Sequence, residues 1–193
     1  LVLKRRKNIR RERERIRETG ITFKHIDGID SLESDWEFFY RCYQNTYAEH
    51  QSSPYLTLDF FIQLSQLMPS NLHLIIAYKG ECPIAASLLL LDDQKRNAYG
   101  RYWGCVESIP LLHFETSYYQ AIEFCIREKI QTFEGGAQGE HKMFRGFTPT
   151  PLQSAHYIQD PMFRTAINNF LDLPHDQFIQ LIQNAFVNRP STV

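Results

Sequence analysis

The chain has 193 residues and a mass of 22.8 kDa, which is enough for one domain with a hydrophobic core. With 43% hydrophobic and 22% charged residues, and with nine Gly and nine Pro, the composition excludes a disordered tail, a collagen-like repeat and a low-complexity linker. The formal net charge of −1 hides two opposed parts, because the first 18 residues carry +6 and the remainder carries −7.

The sequence argues against a membrane or secreted protein. The longest apolar run, residues 84–91, is far shorter than the roughly 20 residues that span a bilayer, and no apolar stretch follows the basic start. The four cysteines are widely spaced without a C-x-x-C pair, which favours reduced, mostly buried thiols. We therefore expect no membrane span and a cytoplasmic location. Residue 1 is Leu rather than Met, which predicts a piece of a longer protein.

In the N-terminal part, helical and strand patterns alternate. Residues 4–18 lack Gly and Pro and are rich in Arg and Glu, which predicts a helix that ends at Gly20. Alternation of apolar and polar residues predicts a strand over 21–26. Aromatic residues at helical spacing predict a helix over 33–48, and a threonine N-cap opens a further helix over 57–68.

The central part changes to strand patterns. Residues 72–78, 84–91 and 97–105 read as three strands joined by short turns, which implies antiparallel neighbours. Apolar residues then return to helical spacing over 112–129, and a short strand follows over 131–134.

The C-terminal part begins with a glycine-rich segment. After it we expect a last strand over 153–158 and a helical region over 161–186. This order predicts an α+β fold with one mixed sheet covered by helices. Because the helix over 112–129 connects two strands, we expect the sheet to splay beside it, and ligands enter such gaps.

The strand at residues 97–105 carries the first polar pair. Alternation predicts Arg101 and Trp103 on one face and Tyr102 on the other. An Arg beside a Trp can hold a phosphate, a carboxylate or a planar ring. In the structural interpretation, the Arg simply stacks on the Trp where a helix meets the sheet, and both interpretations stay open.

The start of the helix over 112–129 carries the second pair, His113 and Glu115. A carboxylate near a helix N-terminus is stabilised by the helix dipole, so Glu115 is explained as a capping charge. In the functional interpretation, this helix end faces an anionic ligand and His113 acts as an acid, a base or a donor.

The glycine-rich segment is the most specific feature. Gly135, Gly136 and Gly139 follow directly after a strand, and such glycines leave backbone N–H groups accessible to a phosphate or an oxyanion. The segment has neither the P-loop sequence nor the spacing of the dinucleotide fingerprint. Behind it come a candidate base, an imidazole and two cations, which favours a functional site over a structural turn: Glu140, His141, Lys142 and Arg145.

Other chemistry is less well supported. His113, Glu115, Glu140 and His141 lack the spacing of a helical zinc motif, so no metal is expected. The apolar surroundings of the four cysteines weigh against a cysteine nucleophile, and no G-x-S-x-G sequence occurs. The basic helix suits RNA or an anionic lipid, or packs on a missing neighbour, which its interleaved glutamates favour.

Taken together, these motifs resemble a known family. Residues 100–104, 112–115 and 134–147 are similar to the bacterial predicted N-acyltransferases labelled peptidoglycan biosynthesis/recognition proteins. That family resembles the FemAB ligases and belongs to the acyl-CoA N-acyltransferase (GNAT-like) superfamily. The similarity includes residues 7–12 of the basic helix and covers nearly the whole chain.

The resemblance implies a GNAT-like mixed, mainly antiparallel central sheet flanked by helices, with the acyl donor in the splay. It implies a basic connecting helix over 1–20 and an acyltransferase domain over 21–193, the second half of a protein whose N-terminal half is missing here. The implied activity is transfer of an acyl or aminoacyl group from a CoA-type or tRNA donor to an amine acceptor, in cell-wall biosynthesis. No cofactor is expected to bind tightly, and acyl-CoA is the expected co-substrate.

This hypothesis assigns roles to the polar residues. Glu140 or His141 takes the amine proton, with His113 and Glu115 in the same catalytic set. The backbone over 135–139, with Gln138 and Lys142, contacts the developing anion, and Arg101, Trp103 and Arg145 bind the donor or substrate. The rival hypothesis is a non-catalytic recognition module that binds a cell-wall precursor or nucleic acid through the same cationic groove.

Overall fold

The computed structural model describes residues 3–136, 139, 141–151 and 155–171. The chain divides into two compact units, Leu1–Phe147 and Thr148–Val193. The first unit contains the sheet and all the candidate site residues. In the second unit the structure describes one helix, α6 (Pro161–Leu171).

The described part of the first unit has five strands and five helices. The strands are β1 (Ile21–Asp27), β2 (Leu72–Lys79), β3 (Cys82–Leu91), β4 (Asn97–Cys105) and β5 (Thr132–Glu134). The helices are α1 (Leu3–Glu18), α2 (Glu33–Glu49), α3 (Leu58–Leu67), α4 and the short α5 (His141–Phe144). Helix α4 runs through an α-helical turn (Leu112–Phe114), a π-helical segment (Glu115–Tyr119) and a regular α-helix (Gln120–Arg127).

The sheet follows the order of the chain, β1-β2-β3-β4-β5. The first four strands pair antiparallel, whereas β5 runs parallel to β4 because α4 carries the chain back across the sheet. The parallel pairing covers three residue pairs, from Asn97 with Thr132 to Tyr99 with Glu134. Within the described residues, β4 continues to Cys105 after this pairing ends, so the predicted splay begins at Gly100.

Helices cover both faces of the sheet. On one face, the aromatic stripe of α2 and α3 packs on β2 and β3 through Trp36, Phe39, Tyr43 and Phe61, all at most 1% exposed. On the other face, α4 packs on the same strands through Phe124 and Cys125, and Ile16 of α1 lies in a neighbouring cluster. Each large apolar side chain buried in this way contributes about 1.5–3 kcal/mol.

Helix α2 approaches β4 very closely at Gly104. A Cβ atom at this position would overlap the carbonyl oxygen of Cys42 in α2. The Thr46 hydroxyl of α2 also donates a hydrogen bond of 2.8 Å to the carbonyl oxygen of Trp103. The glycine therefore fixes the position of α2 over the end of β4 that borders the splay.

Most predicted elements are confirmed, as is the α+β fold with a mixed, mainly antiparallel sheet. The predicted N-cap is Thr57, whose hydroxyl accepts the N–H of Phe60. Two differences concern the C-terminal part. Residues 155–158 are not a strand, and no described strand pairs with them; Gln153 and Ser154 lie outside the described residues. Of the helical region predicted over 161–186, the part after Leu171 lies outside them too.

In the part of the chain that the structure describes, no helix is both long enough and apolar enough to cross a bilayer. The division into 1–20 and 21–193 stays a prediction.

Candidate functional site

The candidate site lies where β4 and β5 separate. Beyond Gly100, the part of β4 that no longer pairs with β5 borders a cleft of about 250 Å³. This cleft continues along the loop before α4 and along the first turn of α4. Its walls include Trp103 of β4, Leu111 of the loop and His113 of α4. Leu111 has a φ of 71°, a left-handed conformation that is unusual for a bulky residue and often marks a functional site.

His113 is held in an aromatic environment at the inner end of this cleft. Its ring centroid lies 4.9 Å from that of Trp103 and 5.5 Å from that of Tyr118. Burial, with smaller contributions from the nearby His141, Arg145 and Lys142, lowers the pKa of His113 to about 4. His113 is therefore neutral at neutral pH.

His141 lies beside His113, with 6.0 Å between the ring centroids. Its Nε2 atom is 3.1 Å from the hydroxyl of Tyr118, within hydrogen-bond distance. Partial burial lowers the pKa of His141, and the charges of Arg145 and Lys142 act in the same direction. Burial raises the pKa of Tyr118, so this pair is a neutral imidazole next to a neutral phenol.

The glycines are explained in part by packing. A Cβ atom at Gly135 would lie 2.9 Å from the Phe147 ring, and one at Gly139 would overlap the His141 ring. Gly136 and Gly139 also have positive φ values of 86° and 104°. Close contacts and positive φ values therefore require glycine at these three positions, whether or not an anion binds.

Lys142 crosses this segment. Its Nζ atom donates a hydrogen bond of 3.1 Å to the carbonyl oxygen of Gly136. Partial burial lowers its pKa, while Glu134 acts in the opposite direction. An ammonium group has three donors, so Lys142 keeps donor capacity beyond this bond, and its charge acts on both imidazoles.

Arg145 is not placed as a free ligand-binding cation. It is 7% exposed, and its guanidinium forms an ion pair of 3.0 Å with Glu12 of α1. A second nitrogen donates to the carbonyl oxygen of His141, and the group stacks on Phe114 at 3.4 Å from the ring centroid. Arg145 therefore fixes the backbone of His141 against α1, with its Nε left without a described partner.

Glu115 is also occupied. Its side chain is 4% exposed and accepts hydrogen bonds from Arg13 of α1 and from Gln120 one turn later. It starts the π-helical segment, a feature that is frequent at functional sites. Glu115 therefore anchors α1 to α4, which differs from both the capping role and the catalytic role considered above.

Arg101 does not pair with Trp103. The register of β3 against β4 shifts so that Leu88 faces Tyr102 and Leu89 faces Gly100, which leaves Arg101 as the extra residue of a bulge. Its guanidinium lies 5.8 Å from the ring centroid of Tyr99. The bulge interrupts the two-residue alternation of the strand on which the predicted shared face depends.

Two predicted site residues, Gln138 and Glu140, lie outside the described residues. The structure brings Trp103, His113, His141 and Lys142 together around the splay. Among the residues that it describes, no group of three or more His, Cys, Asp or Glu side chains is arranged to hold a metal ion.

Sequence reasoning missed three residues of this neighbourhood: Glu12, Tyr118 and Tyr119. Tyr118 contacts His141, and the Tyr119 hydroxyl donates a hydrogen bond to Glu12, which also binds Arg145. Tyr118 and Tyr119 follow the apolar helical pattern, so they resemble core residues in the sequence. Glu12 is one of several charges in α1, and nothing local distinguishes it.

Comparison with known structures places the fold. A possible acetyltransferase from Clostridium difficile 630 superposes with a TM-score of 0.52 at 9% identity, over 72% of this chain and 99% of that one. An aminoglycoside N-acetyltransferase in complex with CoA gives 0.49 at 9% identity, over 72% and 95%. At these identities the first likeness establishes a shared fold, that of the GNAT acetyltransferases, as expected from the sequence.

A longer structure also matches. It is the C-terminal domain of a protein named as a lysylphosphatidylglycerol synthetase from Agrobacterium fabrum, with a TM-score of 0.48 and 12% identity. The match covers 64% of this chain and only 38% of that one. No curated protein sequence matches the chain. A family model described as peptidoglycan biosynthesis/recognition matches residues 1–191, and the chain therefore belongs to this FemAB-like family.

Proposed function

We propose that the protein is an N-acyltransferase that moves an acyl group from a CoA-type thioester to an amine. The observation that carries the proposal is the pair of neutral imidazoles, His113 and His141, whose ring centroids lie 6.0 Å apart beside the point where β5 stops pairing with β4. The GNAT acetyltransferase fold and the FemAB-like family support it. An acceptor from the cell wall is part of the proposal, since the family description names peptidoglycan.

The donor is proposed to lie in the cleft beside the start of α4. Trp103, Ile109 and Leu111 give this cleft an apolar wall that suits the arm and acyl group of the thioester. The first turn of α4 forms its end, and helix N-termini stabilise phosphate groups through the helix dipole and unpaired N–H groups.

The reaction forms a C–N bond, breaks a C–S bond and moves one proton from nitrogen to sulfur. His141 is neutral, so it can accept the proton of the attacking amine. Its hydrogen bond with Tyr118 offers a relay for the proton. His141 takes a proton from the amine and passes one to Tyr118, which gives its own hydroxyl proton to the leaving sulfur. Lys142 is the proposed donor to the oxyanion.

This assignment changes the roles of two residues. Arg145 and Glu115 are held in ion pairs with α1, and we propose that they position His141 and α4 rather than touch substrate. Glu140 stays an alternative base.

The test uses the full-length protein with acetyl-CoA and longer acyl-CoA esters. Binding is measured by thermal shift, where an ester at 100 times its Kd stabilises the fold by about 2.7 kcal/mol. Transfer is followed by release of CoA thiol in the presence of a panel of amines. His141→Asn is expected to lower turnover by about 10²–10⁴-fold while keeping the thermal shift.

The matched control is His50→Asn, because His50 is exposed at the end of α2 and is not among the residues that line the cleft. It is expected to leave turnover and binding unchanged. Full turnover in His141→Asn would remove His141 from the role of base. Absence of any shift with CoA esters would contradict the proposed donor.

A second candidate function is recognition of a polyanion, including an aminoacyl-tRNA as donor. It is favoured by one observation: six exposed cations of α1 have no acidic partner among the described residues. They are Lys4, Arg6, Lys7, Arg10, Arg11 and Arg15. Against a cationic groove at the cleft itself, Arg145 is buried and already paired.

Charged tRNA in the same assay separates the two candidates. Binding through α1 predicts an affinity that falls steeply with salt, as expected when several cations displace counterions from phosphates. If tRNA stabilises the fold and no CoA ester does, the donor is an aminoacyl-tRNA or the protein is a recognition module, and amine acylation from charged tRNA tells these apart.

A further inference from the structure

A chain of hydrogen-bonded polar side chains lies outside the proposed site, on the α4 face of β1 and β2. Asp27 of β1 and His73 of β2 are directly paired in the register, and their Oδ1 and Nδ1 atoms are 2.7 Å apart. The other nitrogen of His73 is 3.0 Å from Nδ1 of His25. His25 Nε2 is 3.1 Å from Gln120 of α4, and Gln120 donates to Glu115.

The Glu115 end of these hydrogen-bonded side chains sets the direction of every hydrogen bond among them. Glu115 forms an ion pair with Arg13 and accepts a hydrogen bond from Gln120, so the Gln120 amide group turns its NH₂ toward it. The carbonyl oxygen of Gln120 then faces His25, so His25 Nε2 must carry a hydrogen. The contact between the two rings needs another hydrogen, and the contact between His73 and Asp27 needs a third.

Two neutral imidazoles carry only two N–H groups. With both rings neutral and Asp27 ionised, one of the three contacts would bring two acceptors together. A state that fills all three contacts with hydrogens therefore holds one proton more, either on a ring beside the Asp27 carboxylate or on the carboxylate itself. In both forms the three side chains have no net charge.

We propose that Asp27, His73 and His25 form a single proton-binding site that controls how firmly α1 docks on α4. With the proton bound, the chain of contacts is complete, and Gln120 supports the Glu115–Arg13 ion pair that anchors α1. When the proton leaves, one contact has no hydrogen. If Gln120 turns its amide group, its NH₂ supplies the missing hydrogen to His25. Its carbonyl oxygen then points at the Glu115 carboxylate, which weakens the anchor.

The surroundings affect this site in opposite ways. The charged groups that face it are Lys24 of β1, Asp30 of the turn after β1, and Glu115, Glu123, Arg127 and Glu128 of α4 or its end. Burial is the largest effect and lowers the pKa of both rings; Arg127 acts in the same direction and Asp27 in the opposite one, and together these effects bring the pKa of His73 to about 4. Burial disfavours an isolated imidazolium, but the three groups together are neutral when the proton is bound.

The site is accessible to the proton. His73 is 2% exposed and stacks on Phe124 at 3.6 Å, but the Asp27 side chain is 52% exposed and borders a cleft of about 300 Å³. Solvent therefore reaches Asp27 at one end of the hydrogen-bonded side chains, whereas Glu115 at the other end, which anchors α1, is buried.

The decisive variant is Asp27→Asn in the full chain. An asparagine amide donates to a neutral His73 nitrogen, so all three contacts are filled without the additional proton. Asp30→Asn is the matched control, because it removes a neighbouring exposed carboxylate that no hydrogen bond joins to the chain. The readouts are the NMR shifts of the His25 and His73 ring protons against pH, and amide hydrogen exchange in α1 corrected for intrinsic rates.

In the wild type we expect both rings to shift with one common midpoint. As pH rises through it, protection in α1 should fall by about tenfold, the size expected when one buried hydrogen bond is lost. Asp27→Asn should lack this step and keep its α1 protection constant, while Asp30→Asn behaves as the wild type. Separate midpoints for the rings, a wild-type step in Asp27→Asn, or α1 protection that ignores the step would overturn the proposal.

Discussion

His113 and His141 show how the same side chain is adjusted by two different surroundings. His113 lies among aromatic rings, and burial dominates the lowering of its pKa to about 4. His141 is more exposed, and its hydroxyl partner Tyr118 gives it a defined hydrogen bond. One imidazole is thus a buried neutral wall of the site, whereas the other is more exposed and has a hydroxyl partner.

A pH dependence of stability follows from His113. Its pKa is lower in the folded state than the unfolded value of about 6.5, so between these values the unfolded chain binds more protons. The contribution of His113 to stability is therefore complete above pH 6.5 and is lost as pH falls toward 4. We expect the wild type to lose about 1–2 kcal/mol more than His113→Phe between pH 7 and pH 5, measured by urea unfolding.

Phenylalanine is chosen because it keeps the ring contacts with Trp103 and Tyr118 and removes only the titration. Equal losses in both proteins would show that His113 does not titrate in this range.

The roles of individual residues were only partly predictable from the sequence. The segment with His141 and Lys142 is marked by its glycines, because backbone with positive φ leaves a local signal. Glu12 with Arg145 and Arg13 with Glu115 leave none, because each pair joins residues more than 100 positions apart. Such contacts exist only after the sheet has brought α1 and α4 together.

At the scale of elements, α2 and β4 approach each other very closely. The carbonyl oxygen of Cys42 occupies the space that a side chain at Gly104 would need. Since β4 also forms one wall of the cleft, any shift of α2 would be transmitted to Trp103, whose carbonyl oxygen is bonded to Thr46.

Gly104→Ala is therefore expected to destabilise the fold by about 3 kcal/mol, at the upper end of the usual cost of overpacking. Gly100→Ala on the same strand is the matched control, because its Cβ atom would make ordinary contacts of 3.5 Å and its φ is not positive. We expect it to cost less than about 1 kcal/mol. Denaturant unfolding of both variants measures the difference, and equal costs would contradict the close approach of α2.

Regular elements were predictable because their patterns are local. The aromatic stripe of α2 and the Thr57 cap of α3 depend on residues within one or two turns. The π-helical segment of α4 and the bulge at Arg101 were not, since each is an irregularity imposed by packing against another element. Both irregularities lie next to the candidate site.

At the scale of the whole molecule, the basic helix α1 contacts the acidic remainder of the chain through a few buried ion pairs. Helix α1 buries only Ile16 fully, yet it reaches α4 through Arg13 and the residue directly after α5, Arg145, through Glu12. The ion pairs, rather than apolar area, thus determine where α1 docks. The acidic remainder of the chain supplies Glu115 and Glu123 as partners.

Removing Arg13 should therefore be costly. Arg13→Gln leaves Glu115 buried without its cation, and we expect a loss of about 3 kcal/mol together with faster amide exchange in α1. Arg15→Gln removes the same charge from an exposed position of the same helix and should cost less than about 0.5 kcal/mol. Similar values for the two variants would show that α1 is not anchored through Glu115.

The short pairing of β5 has a consequence for motion. Three parallel residue pairs hold β5, whereas β1 and β2 are joined by seven. Local opening at this edge therefore requires far less free energy than unfolding of the four antiparallel strands. The gap between β4 and β5 can therefore widen by a partial, reversible detachment of β5 while the rest of the sheet stays folded.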